Sequence, residues 1–506
     1  MAVYRRGFLG FVVRRTPIRW EVSETPTESD GSVSASFRDP GGRVYIFPEH
    51  VFRSVSTAAT PTFREFLNTH AARQLTEAGK LIETAEIATK DTPLADSALF
   101  KESSEDAPAC VFEHDRVWFP SYVYEWPPEM LHSAAMLTLE VAELCLLEGF
   151  GLKDATPYNI LFRGARPVFI DVLSFERRRA GDYLWLPYAQ FLRMFLLPLL
   201  AQKHFGISFD RELLLRPHGL EPEDVYIQSG WAKRLQPQFL NAVSLPVWLA
   251  KWKKKGKDIY RPRQLADAAK AQFILRAQLR RLRRMLHRSA PERSRSSHWA
   301  DYMHSLSYSG ADFQTKERFV ESAIEETKPG TVLDIGCNTG HFSAICARRG
   351  ARVVAIDLDS ASVGATWRRA ISEQLDILPL RVNIAWPTPA TGWRNAEYSS
   401  FLTRAFRSFE MVMLLATLHH LLVTDRIPLR EVISLISQMT TRYALIEYVP
   451  THDPMFREIV RGREALHESL TQEAFEGECR REFSTVRSKQ VGARGRTLYL
   501  LEKFTA

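Results

Sequence analysis

The sequence predicts an α/β protein of more than one domain. A carboxyl-terminal parallel sheet, covered by helices and closed by an antiparallel hairpin, follows an α+β domain and a basic helical linker. Three observations carry this reading. The chain of 506 residues is too long for one core. Residues 331–357, TVLDIGCNTGHFSAICARRGARVVAID, run strand, glycine turn, helix, strand. Near the carboxyl terminus, 483–491 and 497–503 read as strands joined by Gly492-Ala493-Arg494-Gly495. The expected divisions are 1–250, 251–297 and 298–506.

Within the βαβ unit, Val332, Leu333 and Ile335 form the apolar run of a buried parallel strand. Gly336 and Gly340 occupy the turn, where a side chain would block close approach of a ligand. Residues 342–349 read as a helix closed by Gly350, and 353–356 as the second strand, with Asp357 at its carboxyl end. Ligands of such sheets bind beyond the carboxyl ends of the strands. An acid there suits ribose hydroxyls, each charged hydrogen bond being worth about 1.5–3 kcal/mol. The dinucleotide fingerprint G-x-G-x-x-G is not met, because Asn338 takes the middle glycine position.

Asp334-x-Gly336-x-x-x-Gly340 with Asp357 downstream resembles the first motif of class I S-adenosylmethionine (SAM)-dependent methyltransferases. The resemblance implies a seven-stranded Rossmann-like sheet with a terminal antiparallel hairpin, and SAM as cofactor. Asp334, Gly336, Cys337, Asn338 and Gly340 would lie against its methionine part, and Asp357 would hold its ribose. A nucleotide-binding unit without chemistry is the alternative.

The alternation continues on both sides. A helix over 315–326 follows Trp299, Tyr302 and Tyr308, which would either cover the cofactor or pack the helix; Lys316 could reach the cofactor carboxylate. A helix over 360–374 leads to a third strand, 378–382, ending at Asn383, where related enzymes contact adenine. Leu358 would pack on the adenine face. The fourth strand, 409–416, delivers His419 and His420 to the rim. A helix over 427–439 and a fifth strand over 444–449, carrying Glu447, complete the parallel part. An alcohol acceptor must lose a proton, which suits a histidine with a near-neutral pKa. His419 or His420 is therefore the candidate base, unless the pair only orders the loop, and Glu447 is the second candidate. No metal is expected in this half. No Asp-Pro-Pro-Tyr motif follows the fourth strand, which favours an oxygen acceptor over a nucleobase nitrogen.

The amino-terminal part begins with a short basic and apolar stretch, MAVYRRGFLGFVVRRTP, which fits a strand or surface arm better than a signal peptide. Pro40-Gly41-Gly42 marks a turn between strands over 34–38 and 43–47, followed by a strand-like 49–52. Residues 62–80 have helical spacing, 117–124 alternate like a strand, and 131–147 form an amphipathic helix. LKDATPYNILFRGARPVFIDVLSF (152–175) then sets Asp154 and Asn159 on a loop before a hairpin closed by Asp171. This stretch resembles the catalytic hairpin of protein kinases and aminoglycoside phosphotransferases. The resemblance implies Asp154 as base, Asn159 and Asp171 as ligands of Mg²⁺ with ATP, 122–128 as the hinge between lobes, and Arg53 in place of the strand-three lysine with Glu65 as its partner. Lys153 replaces the usual histidine pair, and no glycine-rich phosphate loop is evident, so a kinase-like domain without phosphotransfer is the leading expectation.

The net charge of +8 is concentrated. Residues 251–295 hold sixteen Lys and Arg against Asp258, Asp267 and Glu292, a local +13 that leaves the remainder at −5. Leu275, Leu279, Leu282 and Leu286 share one face of a helix over 265–286, while Arg276, Arg280, Arg283 and Arg284 lie largely off it. This is either a linker helix docked by its leucines or a surface for anionic membrane, with nucleic acid less favoured. Cys110, Cys145, Cys337, Cys346 and Cys479 show neither disulfide nor zinc spacing, which fits a reducing cytosol or its membrane margin.

The stretches 152–175, 333–343 and 416–456 together resemble bacterial methyltransferases of the nodulation-protein type. That similarity implies a glycan, glycolipid or other small-molecule hydroxyl acceptor. Three functions follow: an O-methyltransferase with a kinase-like domain that holds its substrate, a bifunctional kinase–methyltransferase, or a non-enzymatic sensor or scaffold that binds SAM or ATP.

Overall fold

The structure, a computed structural model, describes residues 33–36, 38–95, 110–252, 264–292 and 310–504. The basic start of the chain, residues 253–263, and Trp299, Tyr302 and Tyr308 lie outside the described residues.

The first lobe is a five-stranded antiparallel sheet of β1 (Val33–Ser36), β2 (Gly42–Ile46), β3 (Val51–Val55), β4 (Thr84–Ile87) and β5 (Cys110–His114), in the order β1-β2-β3-β5-β4. Two helices, Thr60–Leu67 and His70–Glu77, lie between β3 and β4, where the spacing predicts one. The break falls at Asn68-Thr69, because the Thr69 hydroxyl accepts the Ala72 N–H at 3.1 Å and caps a second helix. The strand expected over 117–124 is absent. Its alternation arises because Phe119 and Val123 are buried on an irregular connector ending in the turn Val123–Glu125.

The second lobe is built on the helix Pro128–Leu147. Among the described residues this one helix is long and apolar enough to cross a bilayer, but most of its apolar window is buried inside the protein. Strand β6 (Phe150–Leu152) pairs with β9 (Phe175–Arg177), and β7 (Ile160–Arg163) forms the expected hairpin with β8 (Arg166–Phe169). A five-stranded lobe, a connector, a long core helix and this hairpin make a kinase-like arrangement. The helix Ala268–Arg288 docks on Pro128–Leu147 through its buried Leu275, Leu279, Leu282 and Leu286. Arg283 reaches Glu143 at 2.6 Å, while Arg276, Arg280 and Arg284 stay exposed.

The carboxyl half is a seven-stranded sheet of β10 (Thr331–Ile335), β11 (Arg352–Asp357), β12 (Ile377–Arg381), β13 (Phe409–Leu414), β14 (Thr440–Tyr448), β15 (Phe483–Val491) and β16 (Arg496–Lys503). Its order is β12-β11-β10-β13-β14-β16-β15, parallel except for β16, which runs antiparallel to both of its neighbours. Every residue of β10 is buried, as a central strand covered on both faces requires.

The halves meet over aromatic and charged contacts. Phe119 lies between Phe401 and Phe409, with ring centroids 5.9 and 5.7 Å away. Glu125, wholly buried, binds the guanidinium of Arg404 and the hydroxyl of Thr388, and Arg404 also donates to the Pro120 carbonyl at 2.6 Å. Removing one partner strands a buried charge. Arg404→Ala is expected to lose about 3–5 kcal/mol in urea unfolding, and Arg404→Met with Glu125→Gln distinctly less. Equal losses in both variants would exclude the pair as the cause.

Candidate active site

The loop after β10 is shaped by crowding from behind. Gly336 has φ +75°, and a Cβ there would fall 2.2 Å from the Thr417 hydroxyl. Gly340 has φ +70°, and its Cβ would meet the Thr366 methyl at 2.5 Å. Both positions need glycine, as expected, but the clearance is toward protein rather than ligand. The Gly336 and Cys337 N–H groups donate to the Ile356 carbonyl at 2.8 and 3.0 Å, which fastens the loop to β11. The helix His341–Arg348 starts directly behind it.

Asp357 ends β11 and is held from two sides. Its Oδ2 accepts the Asn338 N–H and its Oδ1 the Asp359 N–H, each at 2.9 Å. Burial pushes its carboxyl pKa up, and these backbone donors oppose the shift. Asp334 lies deeper, accepting the Ser343 hydroxyl at 2.5 Å, and burial pushes it up to about 6.

A cavity of about 290 Å³ opens beyond the strand ends. Of the sequence-expected cofactor residues, Asp334, Gly336, Cys337, Asn338, Asp357, Leu358 and Asn383 line it, and Gly340 stands behind the loop. The opposite wall is Leu415, Ala416, Thr417, His420, Leu421, Thr424 and Asp425.

The two histidines part company here. His420 is on the wall, and burial lowers its imidazole pKa. His419 is wholly buried off the wall, and neither ring nitrogen has a partner among the described residues. Glu447 does not line the cavity and has no exposed surface. Its Oε2 binds the Lys316 ammonium at 2.6 Å and its Oε1 lies 3.8 Å from Arg496, which in turn holds Asp453 at 2.7 and 2.9 Å. This closed ion network corrects the expectation of Glu447 as a base, because its carboxylate is committed to cations. Lys316 borders the cavity with its charge turned to Glu447 rather than kept for a ligand alone.

Sequence reasoning missed Thr417, which forces the glycine at 336, and Ala416, which adopts φ +54° on the cavity wall. An alanine gives no sign of such a backbone. Asp425 also went unnoticed, although it follows the histidine pair closely in sequence.

In the kinase-like half, Arg53 on β3 contacts Asp171 at 3.3 Å and His114 at 3.1 Å. Its expected partner Glu65 binds Arg177 instead, at 2.8 Å. Asp154 is exposed, and the buried Asn159 has no partner for its amide nitrogen among the described residues.

This sheet, its glycine loop and the acid after the second strand define a class I, SAM-dependent type of methyltransferase domain, here preceded by a kinase-like half. Residues 279–472 match the family described as a methyltransferase domain. The chain belongs to the family of the nodulation protein NoeA of Rhizobium meliloti (strain 1021), with which it is 30% identical over 478 residues, 94% of this chain and 96% of that one. Among solved structures, the N-methyltransferase NodS from Bradyrhizobium japonicum WM9 is 13% identical over 38% of this chain and 97% of its own, with a TM-score of 0.29. A crystal structure of WbdD is 14% identical over 40% of this chain and 42% of its own, with a TM-score of 0.30.

Gly336→Ala tests the loop. It is expected to cost about 2–4 kcal/mol in denaturant unfolding through left-handed strain and overpacking. Adding Thr417→Ala should recover the overpacking share, and no recovery would mean that Thr417 is not the obstacle.

Proposed function

We propose that this protein transfers the methyl group of SAM to a hydroxyl of a glycan, glycolipid or small molecule, and that its kinase-like half holds rather than phosphorylates. The observation that carries this reading is that Asp357 and His420 face one cavity from opposite sides of the strand ends. The residues fit the cofactor. Asp357 is pinned by backbone donors and keeps lone pairs for ribose hydroxyls. Val382, Ile384 and Leu358 give apolar walls beside the polar Asn383. SAM supplies an electrophilic methyl on a sulfonium.

The chain's own work is positioning and proton transfer. Alignment of acceptor oxygen and methyl supplies up to about 7–11 kcal/mol. His420, neutral because burial disfavours its charged form, accepts the acceptor's proton. The acceptor class rests on the resemblance to nodulation-type enzymes. The outward Arg276, Arg280 and Arg284 would present the enzyme to an anionic membrane margin at the cytosolic side, and the division of the chain at 250 and 297 belongs to the same reading. Co-sedimentation with anionic vesicles that survives Arg276→Glu, Arg280→Glu and Arg284→Glu together would dispose of that contact.

Two variants test the chemistry. Asp357→Ala is expected to weaken SAM binding by calorimetry about tenfold or more, the loss of one charged hydrogen-bonding group. His420→Ala should leave that affinity within about twofold while methylation of cell-surface extracts falls about 10²–10⁴-fold. In the wild type the base is active when deprotonated, so kcat should fall on acidification with a midpoint below the ordinary histidine value of about 6.5. An acid limb above that value, or one that persists in His420→Ala, would remove His420 from the role.

A further inference from the structure

The contact between the halves reaches the connector 117–124 and the loop 154–159, pieces that border the nucleotide in a phosphotransferase. In such enzymes a turn of the first lobe covers the phosphates, a strand-three cation and a hairpin-end acid flank them, and the catalytic loop closes the other side. The corresponding pieces here are the turn 39–42, Arg53, Asp171 and the loop 154–159.

A single segment of the methyltransferase half, residues 388–399 between β12 and β13, touches Arg38 beside that turn, the connector and the loop 154–159. Glu397 pairs with Arg38, directly before the turn, at 2.8 Å. Thr391 and Ser399 place their hydroxyls 3.3 and 3.2 Å from those of Tyr124 and Tyr122 on the connector. The ring of Tyr398 packs on Tyr122 and on Tyr158 of the catalytic loop, with centroids 5.2 and 4.9 Å apart. On the phosphate side, a Cβ on Gly42 would lie 3.0 Å from the Leu173 side chain, so the turn sits down on the residues after Asp171. Asp39, in that turn, adds a carboxylate beside Asp154 and Asp171, opposed by the cations of Arg53 and Lys153. Arg53 is already committed to Asp171 and His114, which leaves it poorly placed to take a phosphate.

The same segment continues from the cofactor cavity. Asn383 and Ile384 line that cavity, and the Asn383 side chain accepts the Ala385 N–H at 2.9 Å at the start of the excursion. Thr388 then binds Glu125, and its carbonyl accepts the Phe401 N–H at 3.0 Å.

We propose that the kinase-like cleft is closed to nucleotide by residues 388–399 of the methyltransferase half, and that docking of this segment by Tyr122, Tyr124, Tyr158 and Arg38 positions the Asn383–Ile384 wall of the cofactor cavity. Glu397 and Tyr398 are then positioning residues: they touch no substrate and act through the wall they anchor. The second clause rests on the reading of that cavity as a SAM site; the first does not.

The test uses the full-length protein, with S-adenosylhomocysteine and Mg²⁺–ATP as calorimetric probes. Wild type is expected to bind S-adenosylhomocysteine and to show no Mg²⁺–ATP heat up to about millimolar concentration, the weak end of specific binding. Glu397→Ala with Tyr398→Ala should weaken S-adenosylhomocysteine about tenfold, a coupling of ordinary size, and Tyr398→Phe should restore most of it. Submillimolar Mg²⁺–ATP binding by wild type would overturn closure of the cleft. A folded double variant with unchanged S-adenosylhomocysteine affinity would overturn the positioning role. Failure of wild type to bind S-adenosylhomocysteine would refute the methyltransferase reading together with the positioning clause, while the ATP arm still judges the cleft. Should the double variant not fold, hydrogen exchange of the wild type decides instead. Amides over 388–399 should exchange more slowly with S-adenosylhomocysteine bound and be unmoved by Mg²⁺–ATP; the reverse pattern would refute both clauses.

Discussion

Asp357 receives the Asn338 N–H from the loop after β10 and the Asp359 N–H from the start of the next helix, and those two bonds fix the rim of the cavity. The arrangement depends on each neighbour. Asn338 can present its amide only because Gly336 lets the loop turn against Thr417, and Gly340 lets it enter the helix against Thr366. The Thr366 hydroxyl in turn donates to the Asn338 carbonyl at 2.9 Å, so the loop is held at both poles of one peptide residue. Two acids, Asp334 and Asp357, are thereby kept in a poorly solvated place where they accept from backbone amides and the Ser343 hydroxyl. Each raises the cost of charging the other. A cationic ligand relieves that cost and a neutral one does not.

The buried ion network of Lys316, Glu447, Arg496 and Asp453 works by a different logic. Two cations and two anions, all nearly or wholly buried, tie the helix Gly310–Thr327 to β14, β16 and the turn before the helix Pro454–Val460. Such networks contribute little net stability over an apolar replacement, but they tolerate no missing member. Asp453 is held below its ordinary range by Arg496 despite burial, as a committed partner should be. His419 sits against the same cluster. Burial, followed by His420, Arg496 and Lys316, drives its pKa down, so it packs as a neutral ring near Phe456 rather than as a fifth charge.

How much of this could be read from the chain follows from the range of the forces involved. The βαβ unit was legible because its strand, turn, helix and acid are set by local sequence, and Gly336 was recognisable although its obstacle, Thr417, lies some eighty positions away, as was Gly340 ahead of its own, Thr366. The histidine pair was not separable, because neighbours on the short helix Leu418–Val423 point in directions about 100° apart and only packing decides which meets the cavity. Glu447 looked like a rim residue by position at the end of a strand; its burial is dictated by Lys316 and Arg496, from elements distant in sequence. In the kinase-like half the hairpin and its three polar residues were apparent, yet the partner of Arg53 was not. The helix assumed continuous over 62–80 breaks at Thr69, and Glu65 is left to Arg177.

The least legible feature is the one that joins the halves. Tyr122 with Ser399, Tyr124 with Thr391 and Glu125 with Arg404 are pairs separated by 277, 267 and 279 positions, and no periodicity reports them. The connector 117–124 imitates a strand without being one, and its buried Phe119 packs on Phe401 and Phe409 of the other half. The same reasoning accounts for the basic helix. Its leucines are spent on Pro128–Leu147 and Arg283 on Glu143, so its docking is intramolecular and Arg276, Arg280 and Arg284 are left facing outward. An amphipathic helix free to enter a membrane needs its apolar face available. This one has already buried it, so any anionic surface it meets can be held by the arginines alone, at roughly 1 kcal/mol each and with strong dependence on salt.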